Sequence, residues 1–232
     1  MIRASMLFFL IFVWVRLFAQ DAGRQQLVDA STDDYLRIVG KQSALYYGKE
    51  QEIYQRTINH PYLLNDQFTK ARLSYNEVIY YEAMLRLDLN RDELIIASPD
   101  FRQIVLTPKN VDFAELHGKH IIYFQRDNLP GCPSPGYYYL LHSGKCKVLE
   151  KQVNRMTYDD RSGFFFNLYT YYYLYKDDAY YSIRNQRGLL KALGSHKKEL
   201  KRFISVNHLQ YRDNAEMFLI LTVSEYEKLS GT

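Results

Sequence analysis

Short strand-like runs, separated by turn residues at close spacing, constrain this chain more than any other feature of its sequence. From residue 71 onward the runs are rich in Val, Ile, Leu, Tyr and Phe and are typical of strands. They are Ala71–Tyr75, Val78–Leu87, Glu93–Ala97, Ile104–Thr107, His120–Gln125, Tyr137–His142, Lys145–Leu149, Phe164–Tyr175 and Ala179–Ile183. Pairs such as Asn76-Glu77 and Asp177-Asp178 mark turns between them. Connections this short leave no room for crossover helices, so the pattern predicts an antiparallel sheet.

The C-terminal quarter changes to a helical period. Leu189, Leu190 and Leu193 share one helical stripe, and Gly194 is suited to end that helix. Ser195 is predicted to cap a second helix, and a last helix is predicted over residues 214–228. The fold class that follows is α+β, mostly antiparallel β (a meander, a sandwich or a half-barrel), with C-terminal helices.

The N-terminus predicts export. Arg3 precedes an uninterrupted apolar run over residues 6–15, and Ala19 provides a small residue before a plausible cleavage point at Gln20. The run is about half the length of a membrane-spanning helix, and Arg16 interrupts it. Residues 1–19 are therefore predicted to be a signal peptide, with a periplasmic or extracellular location. An uncleaved anchor and a buried first helix are the alternatives.

No linker divides the remainder, so residues 20–185 are predicted to form a β-rich domain and residues 186–232 a helical segment packed on it. Another helix is indicated over residues 27–39 by loose apolar spacing. Removal of residues 1–19 takes away two arginines and no acidic residue, which lowers the formal net charge from +4 to +2. A charge this small provides no electrostatic case for nucleic-acid binding. No integral membrane span is expected once the signal peptide is removed.

Tyrosine is unusually abundant, with 22 Tyr and 13 Phe against a single Trp. Tyrosine is amphipathic and fits a half-buried sheet surface. The abundance of tyrosine therefore indicates that these residues cover the faces of a sheet. A sugar-binding face and an aromatic belt are the alternative interpretations.

Two cysteines are the best-defined local chemistry. Cys132 lies in a Pro-rich loop and Cys146 follows the next strand. Export to an oxidising compartment permits a disulfide between the two thiols, and this disulfide is the prediction. Two unpaired thiols are the alternative.

No residue is assigned a catalytic, cofactor-binding or metal-binding role. Asp88, Asn90 and Asp92 resemble the opening of a calcium loop, but Glu93 occupies the position that requires glycine, so a hairpin turn is favoured. His117 and His120 match no zinc spacing. The adjacent acidic pairs 33/34, 159/160 and 177/178 invite comparison with the two carboxylates of glycosidases, but neighbouring acids usually mark turns.

The order of hairpins resembles a broad group of uncharacterised small secreted proteins of Bacteroidetes-type bacteria. The resemblance is carried by hydrophobic patterns and turns in residues 73–78, 85–96, 111–113, 171–178 and 197–200, and by the Ala19-Gln20 junction. It implies a Gram-negative envelope setting and no known activity. The cysteine pair is not a feature of that group.

Three functions follow as hypotheses. The first is an exported, non-enzymatic envelope protein with a binding or structural role, whose partner is an unknown envelope protein or ligand. The second is a hydrolase acting on cell-wall or glycan material, which requires two carboxylates or a Cys/His pair to converge in a cleft. The third is an outer-membrane β-barrel, because Tyr and Phe are enriched in the girdles of such proteins.

Overall fold

One antiparallel sheet dominates the structure, a computed structural model in which residues 44–231 are described. Within those residues the strands are β1 (Lys49–Glu50), β2 (Thr69–Tyr75), β3 (Val78–Asp88), β4 (Glu93–Ala97), β5 (Gln103–Val105), β6 (Val111–Leu116), β7 (Lys119–Phe124), β8 (Gly136–Ser143), β9 (Lys147–Asp159), β10 (Gly163–Lys176) and β11 (Ala179–Ile183). The helices α1 (Gln186–Leu193), α2 (Lys197–Val206) and α3 (Ala215–Leu229) follow. The predicted class, mostly antiparallel β with C-terminal helices, is confirmed.

The strand order within the described residues is β1-β5-β4-β3-β2-β6-β7-β8-β9-β10-β11. Strands β2 to β5 form one meander and β6 to β11 form another, and the two are joined where β2 lies beside β6. The strands therefore belong to one continuous sheet, and the predicted alternative of two packed sheets does not describe this arrangement.

Turn chemistry explains two of the tight hairpins. Asn76 and Glu77 have φ angles of 50° and 63°, and Asp177 and Asp178 have φ angles of 50° and 53°. Two consecutive residues with positive φ form the mirror-image turn whose twist matches that of the flanking strands. The predicted turns at both places are confirmed.

The sheet curls strongly enough to bring distant strands together. The Asn154 amide of β9 donates to the carbonyl of Leu89 at 3.0 Å, and the Asn90 side-chain amide donates to the carbonyl of Asn154 at 2.8 Å. Leu89 and Asn90 form the turn between β3 and β4, and five strands separate β4 from β9 in the sheet order. The right-handed twist of successive strands accumulates across a sheet and gives this kind of curvature.

The C-terminal helices bury one apolar face against the sheet. Leu189, Leu193 and Phe218 pack with Val148 and Leu174 in one buried cluster. The helix ends are set by capping: the Asn185 side chain accepts from the Gly188 amide at the start of α1, and the Asn214 side chain accepts from the Met217 amide at the start of α3.

The predicted cap at Ser195 is wrong. His196 occupies the N-cap position of α2, with φ at 53° and no side-chain hydrogen bond to the helix. Gly194 ends α1 as predicted, and the chain needs one more residue in the left-handed region before α2 begins. Because of this tight turn between α1 and α2, the N-cap of α2 is His196, one residue later than predicted.

The sheet and the helices belong to one compact unit, Tyr47–Thr232. In the part of the chain that the structure describes, no helix is long and apolar enough to cross a membrane. The predicted signal peptide (residues 1–19) and the predicted helix over residues 27–39 lie outside the described residues.

Candidate functional site

A short segment, residues 51–59, crosses the distal half of the long β9–β10 hairpin, and we call this segment the strap. Met156 pairs with Phe166, and Tyr158 pairs with Phe164, across the two strands. Paired residues on neighbouring strands point to the same face of a sheet, so these four side chains share one face. The strap lies against this face near the tip of the hairpin.

Arg91 holds the first end of the strap. Its guanidinium donates to the backbone carbonyl of Glu52 and lies 3.7 Å from the Glu52 carboxylate. The same guanidinium lies 4.2 Å from the centre of the Tyr54 ring, a cation–π contact. Because Arg91 belongs to the β3–β4 turn, this end of the strap is fixed beside β9.

Tyr54 fixes the middle of the strap. Its hydroxyl donates to the Asp88 carboxylate at 2.7 Å, and its ring lies edge-on to Phe166 with a centroid distance of 5.4 Å. Asp88 is completely buried at the end of β3 and also accepts from the backbone amides of Asn90 and Arg91. Burial and the hydrogen bond to Asp88 raise the pKa of the Tyr54 phenol well above its ordinary value of 10.0.

The far end of the strap pairs with the outer edge of β10. The Ile58 amide donates to the Phe164 carbonyl at 2.9 Å. The Asn59 side chain then acts as a strand backbone would, because its amide donates to the Phe166 carbonyl at 2.8 Å and its oxygen accepts from the Phe166 amide at 2.7 Å. The strap is thus anchored at both ends and in the middle.

Arg86 supports the start of the strap from inside the sheet. Its guanidinium lies between the rings of Tyr62 and Phe68, at 3.8 Å and 4.3 Å from their centres. It donates to the side-chain oxygens of Gln51 and Gln103 at 3.0 Å and 2.8 Å. Burial lowers the pKa of this guanidinium from its ordinary value. The arginine therefore orders Gln51, the first residue of the strap.

An open cleft of about 440 Å³ lies between the strap, the β3–β4 turn and the hairpin tip. Its lining is half apolar and aromatic and half polar: Ile53, Tyr54, Met156 and Phe164, with Gln55, Thr57, Asn90 and Arg91. The cleft volume lies within the range of small-molecule sites, in which a few polar groups orient a ligand on an apolar surface. We call this feature the strap cleft.

The apolar side of the strap cleft continues onto the surface. Tyr158 lies beside Phe164, with ring centroids 5.0 Å apart. Ile53, Met156 and Tyr158 are exposed by 92 %, 50 % and 58 % respectively. Exposed apolar surface next to a cleft is typical of a binding site.

The predicted disulfide does not form. Cys132 and Cys146 are both free thiols; Cys132 is half-buried in its loop, and Cys146 is buried in the helical cluster. Cys132 lies in a loop that contacts β11 at Tyr180, whereas Cys146 packs with the C-terminal helices, so the two thiols have different surroundings.

The acidic positions considered from the sequence lie in turns. Asp88 to Asp92 contain the β3–β4 hairpin turn, as predicted, and Asp92 forms an ion pair with Lys151 at 2.5 Å. Asp159 and Asp160 lie at the β9–β10 turn, and the 177/178 pair forms the β10–β11 turn. The 33/34 pair lies outside the described residues.

His117 and His120 lie in the β6–β7 hairpin. His120 stacks on Phe113 with a centroid distance of 5.2 Å. Within residues 44–231 there is no group of three or more His, Cys, Asp or Glu side chains placed to hold a metal ion.

Two carboxylates do converge from distant positions, on Lys119. The Lys119 ammonium lies 3.2 Å from the completely buried Glu150 carboxylate and 2.7 Å from Glu216 of α3. Burial raises the pKa of Glu150, although Lys119 and Gln152 oppose this effect. Both carboxylates are occupied by the lysine, so the cluster attaches α3 to the sheet.

A second polar cluster attaches the other end of α3. The His142 ring lies 2.9 Å from the Glu227 carboxylate and 3.4 Å from the Ser224 hydroxyl. Glu227 also accepts from the Cys146 backbone amide at 2.7 Å. Ser224 and Glu227 lie one turn apart on the same helix, and their partners belong to the β8–β9 hairpin, so the cluster ties the helix to that hairpin.

Comparisons with known proteins add no relative to this description. No family model, curated protein or solved structure matches the chain. The residues of the strap cleft are therefore the basis for inferring a function.

Proposed function

We propose that this protein is an exported, non-enzymatic binding protein of a Gram-negative envelope, and that its ligand site is the strap cleft. The observation that supports the proposal best is the cleft itself, about 440 Å³ with a mixed apolar and polar lining. Its walls are held by Arg91 and Tyr54 through contacts that need no ligand. A binding site that is formed in advance loses less conformational entropy when it is occupied.

The arrangement of acidic residues supports binding over hydrolysis. A glycosidase requires one carboxyl group as a proton donor and a second as a nucleophile or base. Glu150 and Glu216 share Lys119, and Asp88 accepts from the Tyr54 hydroxyl and two backbone amides. These contacts give the three carboxylates a structural role in the fold, which favours binding over hydrolysis.

The envelope location is part of the same proposal and depends on residues 1–19 and on the resemblance to secreted Bacteroidetes-type proteins. Cell fractionation followed by N-terminal sequencing tests it. We expect a periplasmic or extracellular product that begins at Gln20. A cytoplasmic product that retains Met1 would overturn the envelope location.

The binding role is tested by a thermal-shift screen of the purified chain against sugars, oligopeptides and fatty acids. We expect at least one ligand to raise the Tm of the wild type and to have no such effect on a double variant, Gln55→Ala with Phe164→Ala. The ligand recovered after incubation is expected to be chemically unchanged. Conversion of the ligand to a product would favour the hydrolase instead.

A further inference from the structure

We propose that the strap cleft binds a neutral glycan chain, with sugar rings against Phe164 and Tyr158 and hydroxyl groups at Gln55 and Arg91. This inference rests on the proposed binding function and specifies its ligand class.

The aromatic side of the site suits the apolar face of a sugar. The rings of Phe164 and Tyr158 are neighbours at 5.0 Å, inclined at 54°, and Tyr158 is 58 % exposed. The face of an aromatic ring carries partial negative charge, which attracts the partially positive C–H groups on one face of a pyranose. Two adjacent rings offer places for successive units of one chain.

The polar side of the site suits hydroxyl groups. Gln55 is exposed, and its side chain forms no hydrogen bond to another described residue. The Thr57 hydroxyl donates to the Asn59 carbonyl and retains its acceptor capacity. Arg91 contributes further N–H donors in a planar array. A ligand hydroxyl both donates and accepts, so it is able to pair with every member of this set.

Arg91 is the only formally charged residue among the described residues that line the cleft, and its existing partners favour a neutral ligand beside it. The Arg91 guanidinium already has the Glu52 carboxylate at 3.7 Å, and Glu52 is also paired with Lys49 at 2.7 Å. Asp88, the other charged residue that contacts Tyr54, is completely buried and hydrogen-bonded. Arg56 of the strap is exposed and does not line the cleft. An anionic ligand that binds at Arg91 would therefore have to displace an existing partner of this residue.

An extended peptide without charged side chains is also neutral, but the strand edges beside the cleft are already paired in part. The strap occupies the outer edge of β10 at Phe164 and Phe166. The β3–β4 turn occupies the outer edge of β9 at Asn154. Peptides that bind by strand addition obtain much of their affinity from main-chain hydrogen bonds to a free edge. The site therefore offers more to a glycan than to a peptide strand.

The test is calorimetric titration of the purified full chain with neutral hexasaccharides of glucose, mannose and N-acetylglucosamine. We expect at least one to bind, Phe164→Ala to weaken that binding about ten-fold or more, and Gln55→Ala to weaken it about three-fold. Tyr181→Ala is the matched control, because this tyrosine is 38 % exposed on β11, away from the cleft residues. Its affinity is expected to equal that of the wild type.

Tyr158→Ala replaces Phe164→Ala if the latter variant does not fold, because Tyr158 is the more exposed of the two. Failure of all three hexasaccharides to bind at millimolar concentration, or binding that none of the cleft variants weakens, would overturn the glycan inference. Binding of an oligopeptide through Phe164 and Gln55 would overturn the glycan inference and leave the proposed binding function intact. If no ligand of any class binds in the cleft, both proposals fail.

Discussion

The Tyr54 hydroxyl donates a hydrogen bond to the completely buried Asp88 carboxylate over 2.7 Å, and this bond joins the strap to the end of β3. It is a charge-assisted bond in a partly buried place, which makes it stronger than an ordinary surface contact. It also brings together two residues that are 34 positions apart in the chain. The bond therefore fixes the middle of the strap, between the anchors at Arg91 and at Asn59.

Tyr54→Phe removes that bond while keeping the ring contact with Phe166. We expect the free energy of unfolding to fall by about 2 kcal/mol, since hydrogen bonds to charged groups contribute about this much. Urea denaturation measures the loss, and hydrogen exchange is expected to become faster at the Ile58 amide. Tyr47→Phe is the control, because Tyr47 is 81 % exposed, and its stability is expected to be unchanged. Equal stability of the two variants would contradict the role assigned to Tyr54.

Lys119→Met leaves two carboxylates close together without their shared cation. Breaking a buried ion pair by removing one partner typically costs about 3 kcal/mol or more, and we expect a loss of this size at neutral pH. Without Lys119 the pKa of Glu150 should rise further, so the variant should regain part of its stability as the pH falls and Glu150 becomes protonated. Chemical denaturation at neutral and mildly acidic pH provides the comparison.

Lys109→Met is the matched control for this prediction, because Lys109 is exposed and its change should leave stability unaltered. A Lys119 variant that is equally unstable at both pH values would argue against an uncompensated carboxylate as the cause.

The extent of β9 shows where sequence patterns stop being informative. The pattern predicts a strand that ends at Leu149, but β9 continues to Asp159. The continuation begins with polar residues that interrupt the apolar run, and each has a distant partner: Glu150 with Lys119, Lys151 with Asp92, and Asn154 with the turn at Asn90. Burial of polar groups is tolerated when such partners exist, and a local pattern does not contain them.

The strap is not predictable from the sequence, for a related reason. Residues 51–59 show neither helical nor strand periodicity, since their structure comes from individual contacts with Asp88, Arg91 and β10. The hairpins, in contrast, depend on neighbouring residues, and the turns at Asn76-Glu77 and Asp177-Asp178 were predictable from sequence. Tyr54 is the only aromatic residue in the sequence of the strap, and by itself it indicates no ligand.

Thiol labelling checks the absence of the disulfide. Cys132 and Cys146 are both free, and burial raises the pKa of the Cys146 thiol to about 11. A thiolate is the reactive form, so Cys146 should resist iodoacetamide in the folded protein at pH near 8 and react once the protein is unfolded. Mass spectrometry of protein purified without reductant should find two thiols per chain after unfolding. Recovery of a peptide in which the two cysteines are linked would refute the structure at this place.

We expect the buried Tyr137 phenol to make the folded protein less stable at alkaline pH. Tyr137 is buried, its hydroxyl finds no partner among the described residues, and burial raises the pKa of the phenol above its ordinary value of 10.0. As the pH rises through 10, the unfolded chain loses this proton while the folded protein keeps it. The free energy of unfolding therefore has its full contribution from the neutral phenol below pH 10, and this contribution decreases progressively as the pH rises above 10.

Tyr137→Phe is accordingly expected to be as stable as the wild type or more stable, by up to about 1 kcal/mol at neutral pH, because no hydrogen bond is removed. Its stability should also fall less steeply above pH 10. Urea midpoints at several pH values between about 8 and 11 measure both effects. Identical alkaline slopes for the variant and the wild type would show that Tyr137 does not titrate in this way.

Substitutions at two glycines with nearly the same φ angle distinguish the cost of backbone strain from the cost of a steric clash. Gly118 and Gly131 have φ angles of +73° and +71°, which disfavour any L side chain. A Cβ at Gly118 would meet nothing within 4 Å, whereas a Cβ at Gly131 would lie 2.1 Å from the Tyr180 carbonyl oxygen. We expect Gly118→Ala to cost about 1 kcal/mol, the strain alone. Gly131→Ala should cost clearly more, because the Pro-rich loop must move away from β11 and weaken the hydrogen bond from the Tyr180 amide to the Pro130 carbonyl. Thermal denaturation of the two variants gives the difference directly, and equal losses would mean that the loop does not lie against β11 in solution.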